Sequence, residues 1–167
     1  ILPYPDLLLL SDSSGRFNDA SANIDDQNDG NGKICGFSHD ASTGDFDNDG
    51  DYDIFACNLL LVNDGLGNFI IHEDLDFNLQ QVYGNPMSSL VVDLNNDDYD
   101  DLVFWNFDNR PNTIPEEGFA LVSNGTANVD NWTLIELPEG PFGRNHNKFN
   151  HAAWGDLNND GNNDVVV

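Results

Sequence analysis

Asp45, Asp47, Asp49 and Asp53 place four carboxylates within nine residues, three of them at alternate positions. The spacing returns as Asp93, Asn95, Asp97 and Asp101, and again as Asp156, Asn158, Asp160 and Asp164. Alternate residues of a tight loop can turn their side chains inwards, so positions 1, 3, 5 and 9 of each run offer hard oxygen donors to one point. Calcium takes six to eight such oxygens at about 2.3–2.6 Å. Position 7, which is Asp51, Tyr99 and Asn162 in the three runs, is expected to offer its backbone carbonyl, so its side chain is free to vary. Gly50 and Gly161 at position 6 allow a sharp bend. Asp98 takes that place in the second run, and Asp visits left-handed conformations more readily than most residues. The expected cofactor is Ca2+, about three ions, one for each loop.

Other metal chemistries fit less well. An EF-hand needs a Glu at position 12 and flanking helices. Position 12 here is Ala56, Phe104 and Val167, and the flanks are rich in strand formers. No Cys or His lies inside a run, which argues against zinc. The bland alternative is a solvated turn, because in a chain this rich in Asp and Asn the bare spacing arises about once by chance. Three copies, each followed by apolar residues, weigh against it. Carboxylates held this close also repel unless a cation neutralises them.

The composition agrees. The 167 residues carry 30 acidic and five basic side chains, a formal charge of −25. Twenty-five of the acids are Asp and five are Glu. An acidic helix would draw on Glu, the better helix former, whereas Asp prefers turns and short chelating loops. Such a charge excludes nucleic acid as a partner, since phosphate binding needs clustered Lys and Arg. It also disfavours an anionic membrane surface, and no stretch reaches the length of a membrane span, so no membrane insertion is expected. The segment 1–10 has no basic region and two prolines, and does not read as a signal peptide. The absence of an initiator Met makes the chain read as a mature fragment or one section of a longer protein.

The elements that must hold these loops follow from repetition. The runs beginning at Gly44, Val92 and Gly155 start 48 and 63 residues apart, near the length of one propeller blade. Between them lies a second unit, an apolar run, a turn and a new apolar start, at 7–17, 59–71 and 119–137. Asn-Gly and Asp-Gly turns between β-rich runs mark hairpins. One unit is therefore strand, Asp loop, strand and hairpin. No segment shows a sustained 3.6-residue apolar period, so no long helix is expected. The reading is all-β, with about three β-propeller-type four-stranded blades and calcium loops between strands, in a partial or open propeller. The whole of 1–167 is one repeat region: hairpin 7–24, repeat 34–75, repeat 87–137 and partial repeat 149–167.

The segments Gly-Asp-Phe-Asp-Asn-Asp-Gly-Asp-Tyr-Asp-Ile-Phe and Gly-Asp-Leu-Asn-Asn-Asp-Gly-Asn-Asn-Asp-Val-Val resemble FG-GAP/VCBS repeats, the calcium-binding blades also found in integrin α-subunit propellers. The hairpin segments Leu-Leu-Val-Asn-Asp-Gly-Leu-Gly-Asn-Phe and Leu-Leu-Leu-Ser-Asp-Ser-Ser-Gly-Arg-Phe resemble the rest of that repeat. The resemblance implies a propeller-blade fold, calcium at the inter-strand loops, and extracellular adhesion or ligand binding. Family propellers close with about seven blades, more than this chain holds, and the link from Cys57 to Leu59 is shorter than in the family.

Several other residues invite a chemical reading. Cys35 and Cys57 fit one disulfide or two buried thiols. Asn124 and Asn131 head two Asn-x-Thr sequons, and with the Asp loops they lean towards a secreted or cell-surface glycoprotein. His39 and His151 precede Asp loops at related places, but His72 and His146 form no ligand spacing with them, so packing roles are expected. Trp105 and Trp154 are expected in the core between units, and Trp132, inside a sequon, at the surface. Arg144 and Lys148 read as countercharge to the Asp field. No nucleophile elbow, zinc helix motif or P-loop is present, and nothing selects a carboxylate pair from Glu116, Glu117, Glu136 and Glu139. The expected function is non-catalytic: a calcium-binding module whose partner is a protein or carbohydrate ligand. The alternatives are a fibre subunit that shares strands with copies of itself, and an accessory region of a secreted enzyme.

Overall fold

The computed structural model describes residues 7–25, 34, 40–57, 59–72, 85–107, 118–126, 131–138 and 151–166. They form thirteen strands and one short 3-10 turn, Ser21–Asn23. The fold is all-β, with several sheets and none closed. No helix among the described residues is long and apolar enough to cross a membrane.

Strands β4 (Ala41–Gly44), β5 (Asp53–Ala56), β6 (Leu59–Asn63) and β7 (Phe69–Ile71) run as an antiparallel meander. The Asp loop 45–53 joins β4 to β5, and the turn 64–68 joins β6 to β7. Strands β8 (Asn85–Val92), β9 (Asp101–Phe107), β10 (Gly118–Val122) and β11 (Thr133–Glu136) repeat that order around the loop 93–101. Two further pairs stand apart: β1 (Leu9–Ser11) with β2 (Phe17–Asp19), and β12 (Ala153–Gly155) with β13 (Asp164–Val166) around the loop 156–164. The order of strand, Asp loop, strand and hairpin expected from the sequence is therefore present twice in full. The sequence reading differs at β3 (Ile24–Asp25), which does not extend the first hairpin. It adds in parallel to the outer edge of β7 and makes a five-stranded sheet.

The tight link between β5 and β6 rests on Cys57, a buried residue at φ 61°. That left-handed backbone costs a non-glycine residue roughly 1–2 kcal/mol. Cys57 is disulfide-bonded. Cys35, the chain's other cysteine, lies outside the described residues.

The two large sheets meet through aromatic side chains. Phe46, Phe55, Leu60, Leu102, Phe104, Phe119, Leu121 and Trp132 form one buried cluster. Phe46 tilts against Trp132 at 5.9 Å and Phe55 against Phe104 at 5.7 Å between ring centroids. Such tilted pairs contribute about 0.5–1.5 kcal/mol beyond their buried area. Trp132 is thus buried, contrary to the surface position expected from its sequon, and its ring N–H donates to the Thr126 carbonyl at 2.8 Å. Trp105 is in the core as expected, but Trp154 is half exposed. The physical reason is the same for both corrections: Trp132 faces a neighbouring sheet and Trp154 does not. A separate cluster of Val92, Val103, Trp105 and Ala120 receives Leu94 and Val165 from its margin. Between β4 and β8, the Ser42 and Ser89 hydroxyls lie 2.6 Å apart, and the Asp40 carboxylate accepts from the Ser89 N–H.

Candidate metal centre

The three Asp loops share one set of backbone N–H to side-chain bonds. In loop 45–53 the Asp49 N–H donates to Asp45 Oδ1 at 3.0 Å and to Asp47 Oδ1 at 3.2 Å, while the Gly50 N–H donates to Asp45 Oδ2 at 3.0 Å. In loop 93–101 the Asp97 N–H donates to Asp93 Oδ1 and Asn95 Oδ1, and the Asp98 N–H donates to Asp93 Oδ2. In loop 156–164 the Asp160 N–H reaches Asp156 Oδ1 and Asn158 Oδ1, and the Gly161 N–H reaches Asp156 Oδ2. Position 5 then accepts from the N–H of position 7: Asp49 from Asp51, Asp97 from Tyr99 and Asp160 from Asn162. Short-range bonds of this kind are what Asp and Asn side chains make best, which is why they fill the loops.

Two residues per loop take the left-handed backbone that closes the bend. Position 6 has φ 96° at Gly50, 67° at Asp98 and 87° at Gly161, as the sequence reading requires. The second is position 4, at φ 59° for Asn48, 59° for Asn96 and 61° for Asn159. The sequence reading overlooked it, although an Asn at position 4 of all three runs was a visible signal, since Asn tolerates this region.

The loops differ in how their charge is met. One carboxylate oxygen from each of Asp45, Asp47 and Asp49 lies within 4.8 Å of the other two, and the three could hold a metal ion. Two oxygens bound to one calcium at about 2.3–2.6 Å are separated by no more than about 5 Å, so that clustering fits a single ion. Burial raises the Asp47 carboxyl above its usual range, and the charges of Asp49 and Asp45 add to it. In the other loops an amide replaces the carboxylate at position 3. Asn95 Nδ2 donates to Asp97 Oδ2 at 2.9 Å, and Asn158 Nδ2 donates to Asp160 Oδ2 at 3.1 Å. Asp160 is held below its usual range, first by the Asn162 N–H and then by the Asn158 amide. Part of what a cation would do is already done there by N–H groups.

Position 9 belongs to the loop and to the sheet together. Asp53 is fully buried, with Oδ2 accepting from the Phe46 N–H at 3.0 Å and Oδ1 from the Asn63 N–H at 2.9 Å. Asp101 repeats this with the Leu94 N–H at 2.8 Å and the Ser123 N–H at 2.7 Å. Burial pushes the Asp53 carboxyl up to about 6, against the Asn63 N–H and with help from the Asp47 charge. Burial likewise raises Asp101. Asp164 keeps the first bond, from the Leu157 N–H at 2.9 Å, but it is only partly buried.

Position 7 has a second use. A side chain on Gly125 would collide with the Tyr99 ring, and one on Gly65 with the Asp51 carboxylate. The Asp51 and Tyr99 side chains therefore lie over the turn of the following hairpin. Position 8, unremarked in the sequence, ties the second and third loops each to the one before it. The Asp45 N–H donates to Asp100 Oδ2 at 2.8 Å, and Asn163 Nδ2 donates to the Asp93 carbonyl at 2.6 Å. Tyr52, at position 8 of the first loop, is exposed.

Of the remaining sequence candidates, Asn124 and Asn131 are both exposed, and Asn124 Oδ1 accepts from the Thr126 hydroxyl. His151 is exposed, and the His72 Nδ1 is buried without a hydrogen-bond partner. His39, His146, Arg144, Lys148, Glu116, Glu117 and Glu139 lie outside the described residues, and Glu136 is exposed. No family model, no curated protein and no solved structure matches the chain.

Proposed function

We propose that this chain is a calcium-binding module of propeller-type four-stranded blades, acting outside the cell in adhesion or ligand binding and not in catalysis. The observation that carries the reading is the three-fold recurrence of one oxygen-rich loop, each copy inserted between the first two strands of its unit. A calcium ion in loop 45–53 would take carboxylate oxygens from Asp45, Asp47 and Asp49 and offset their mutual repulsion. Asp93, Asn95 and Asp97 would serve the second loop and Asp156, Asn158 and Asp160 the third. Asp51, Tyr99 and Asn162 would add backbone carbonyls. Asp53, Asp101 and Asp164 at position 9 would link each ion to the strand that follows.

The resemblance of the loops and hairpins to FG-GAP/VCBS repeats supports this reading. A disulfide-bonded Cys57 and two exposed sequon asparagines at 124 and 131 favour an oxidising, extracellular setting. The ligand would be a protein or a carbohydrate.

Isothermal titration of EGTA-stripped protein tests the proposal directly. Uptake of about three calcium ions is expected, with the melting temperature rising as calcium is added. A protein that takes up no calcium, and melts at the same temperature in EGTA, would rule the proposal out.

A further inference from the structure

Position 1 anchors the inner bonding of each loop. Asp45 Oδ1 receives the Asp49 N–H and Oδ2 the Gly50 N–H, both at 3.0 Å. Where this carboxylate points depends on where the Asp45 backbone sits, and that backbone is held from the next sheet. Its N–H donates to Asp100 Oδ2 at 2.8 Å. The approach is close. A side chain on Gly44 would come within 3.0 Å of that same oxygen and 2.9 Å of Val91 Cγ1. The Ser42 and Ser89 hydroxyls hold strands β4 and β8 together beside it.

Asp100 is position 8 of the second loop and stands between two of its candidate ligands. On one side Asp101 is fully buried and accepts from the Leu94 and Ser123 N–H groups. On the other, Tyr99 is tied into the loop, its N–H donating to Asp97 Oδ1 at 3.0 Å. The Tyr99 carbonyl and the Asp100 N–H share one planar peptide unit. A Tyr99 carbonyl committed to a cation therefore fixes the plane from which Asp100 hangs. The third loop is joined to the second in the same manner. Asn163, its position 8, donates from Nδ2 to the Asp93 carbonyl at 2.6 Å, and Asn96 Nδ2 donates to Asn162 Oδ1 at 3.1 Å. Both position-8 ties land on position 1 of the preceding loop.

We infer that Asp100 is a positioning residue that couples cation binding in loops 45–53 and 93–101, so that filling either loop makes the other easier to fill. The inference rests on the calcium reading above and adds that these two loops do not bind independently. An occupied second loop sets Asp100, and Asp100 holds the Asp45 backbone with both carboxylate oxygens turned into the first loop. Coupling between two sites is reciprocal and commonly changes affinity by about 5- to 150-fold. One shared hydrogen bond belongs at the lower end of that range, about fivefold.

Calcium titration of EGTA-stripped, 15N-labelled protein tests it. The Gly50 and Asp98 amide signals report the two loops separately, since each N–H bonds to its own position-1 carboxylate. Asp97→Ala, which disables the second loop, is expected to raise the Gly50 midpoint about fivefold more in the wild type than in Asp100→Ala protein. Charge effects of Asp97→Ala act in both backgrounds and cancel. Asp100→Asn keeps an acceptor oxygen and is expected to restore the wild-type response. An equal shift in the wild type and in Asp100→Ala overturns the inference while leaving three independent calcium sites intact. Protein that takes up no calcium sinks the calcium reading and this inference together. Should Asp100→Ala not fold, Asp47→Ala protein decides. With its first loop disabled, calcium on the second is expected to slow hydrogen exchange at the Asp45 N–H about fivefold, and unchanged exchange overturns the coupling.

Discussion

Loops 45–53 and 156–164 share their left-handed positions and their internal backbone N–H bonds, yet they sit in different surroundings. Phe46, at position 2 of the first, is fully buried against Trp132 of the next sheet, and Leu157 at the same position of the third is 65% exposed. A side chain added to Gly44 would meet Val91 at 2.9 Å, whereas one added to Gly155 would meet nothing within 4 Å. Asp53 holds two backbone N–H groups and is buried, while Asp164 holds one. The comparison separates two jobs. The loop shapes itself by contacts within nine residues, and the neighbouring sheet then turns it into a buried, charge-strained site.

The largest effect that would break this comparison is at position 2. Phe46→Ala is expected to cost about 4 kcal/mol in urea unfolding, and Leu157→Ala no more than about 0.5 kcal/mol. Equal costs would mean that the third loop is as well packed as the first. At position 9, Asp53→Ala strands two buried N–H groups and is expected to cost about 3 kcal/mol, measured in EGTA to remove any cation contribution. Asp164→Ala is expected to cost about 1 kcal/mol or less.

Calcium should sharpen the contrast between position-3 residues. At calcium about 100-fold above the dissociation constant, one site adds about 2.7 kcal/mol of stability. Asp47→Asn gives loop 45–53 the amide found in the other two, and is expected to weaken its calcium affinity in titration. Asn158→Asp is expected to strengthen that of loop 156–164. If neither substitution moves the affinities, position 3 does not coordinate.

A smaller effect concerns pH. The Asp53 carboxyl is raised to about 6 in the fold from an ordinary 3.8, so the folded state holds that proton more tightly. Its contribution is complete below about pH 4 and is lost as pH rises through about 6. In EGTA the wild type should therefore lose stability over that window relative to Asp53→Asn, and saturating calcium should reduce the loss. Asp160, lowered by its N–H partners, acts with the opposite sign: its contribution is present above its ordinary value and is lost on acidification. Melting curves of Asp53→Asn and Asp160→Asn against pH should diverge in opposite directions.

What the amino-acid order determined here is local. The three loops, the turn 64–68 and the order of strand, loop, strand and hairpin are visible in it, because bonds from Asp and Asn to N–H groups two to five residues on need no distant partner. The left-handed Asn at position 4 was equally visible, had the repeat been read at every position. Tertiary structure alone decided what each copy faces. Trp132 is buried and Trp154 half exposed because a neighbouring sheet covers one and not the other, and no sequon or apolar run encodes that. The tie from Asp100 to Asp45 spans 55 residues, and β3 joins β7 rather than its own hairpin. Such pairings depend on how whole sheets stack, and stacking is a property of surfaces assembled from residues far apart in the chain.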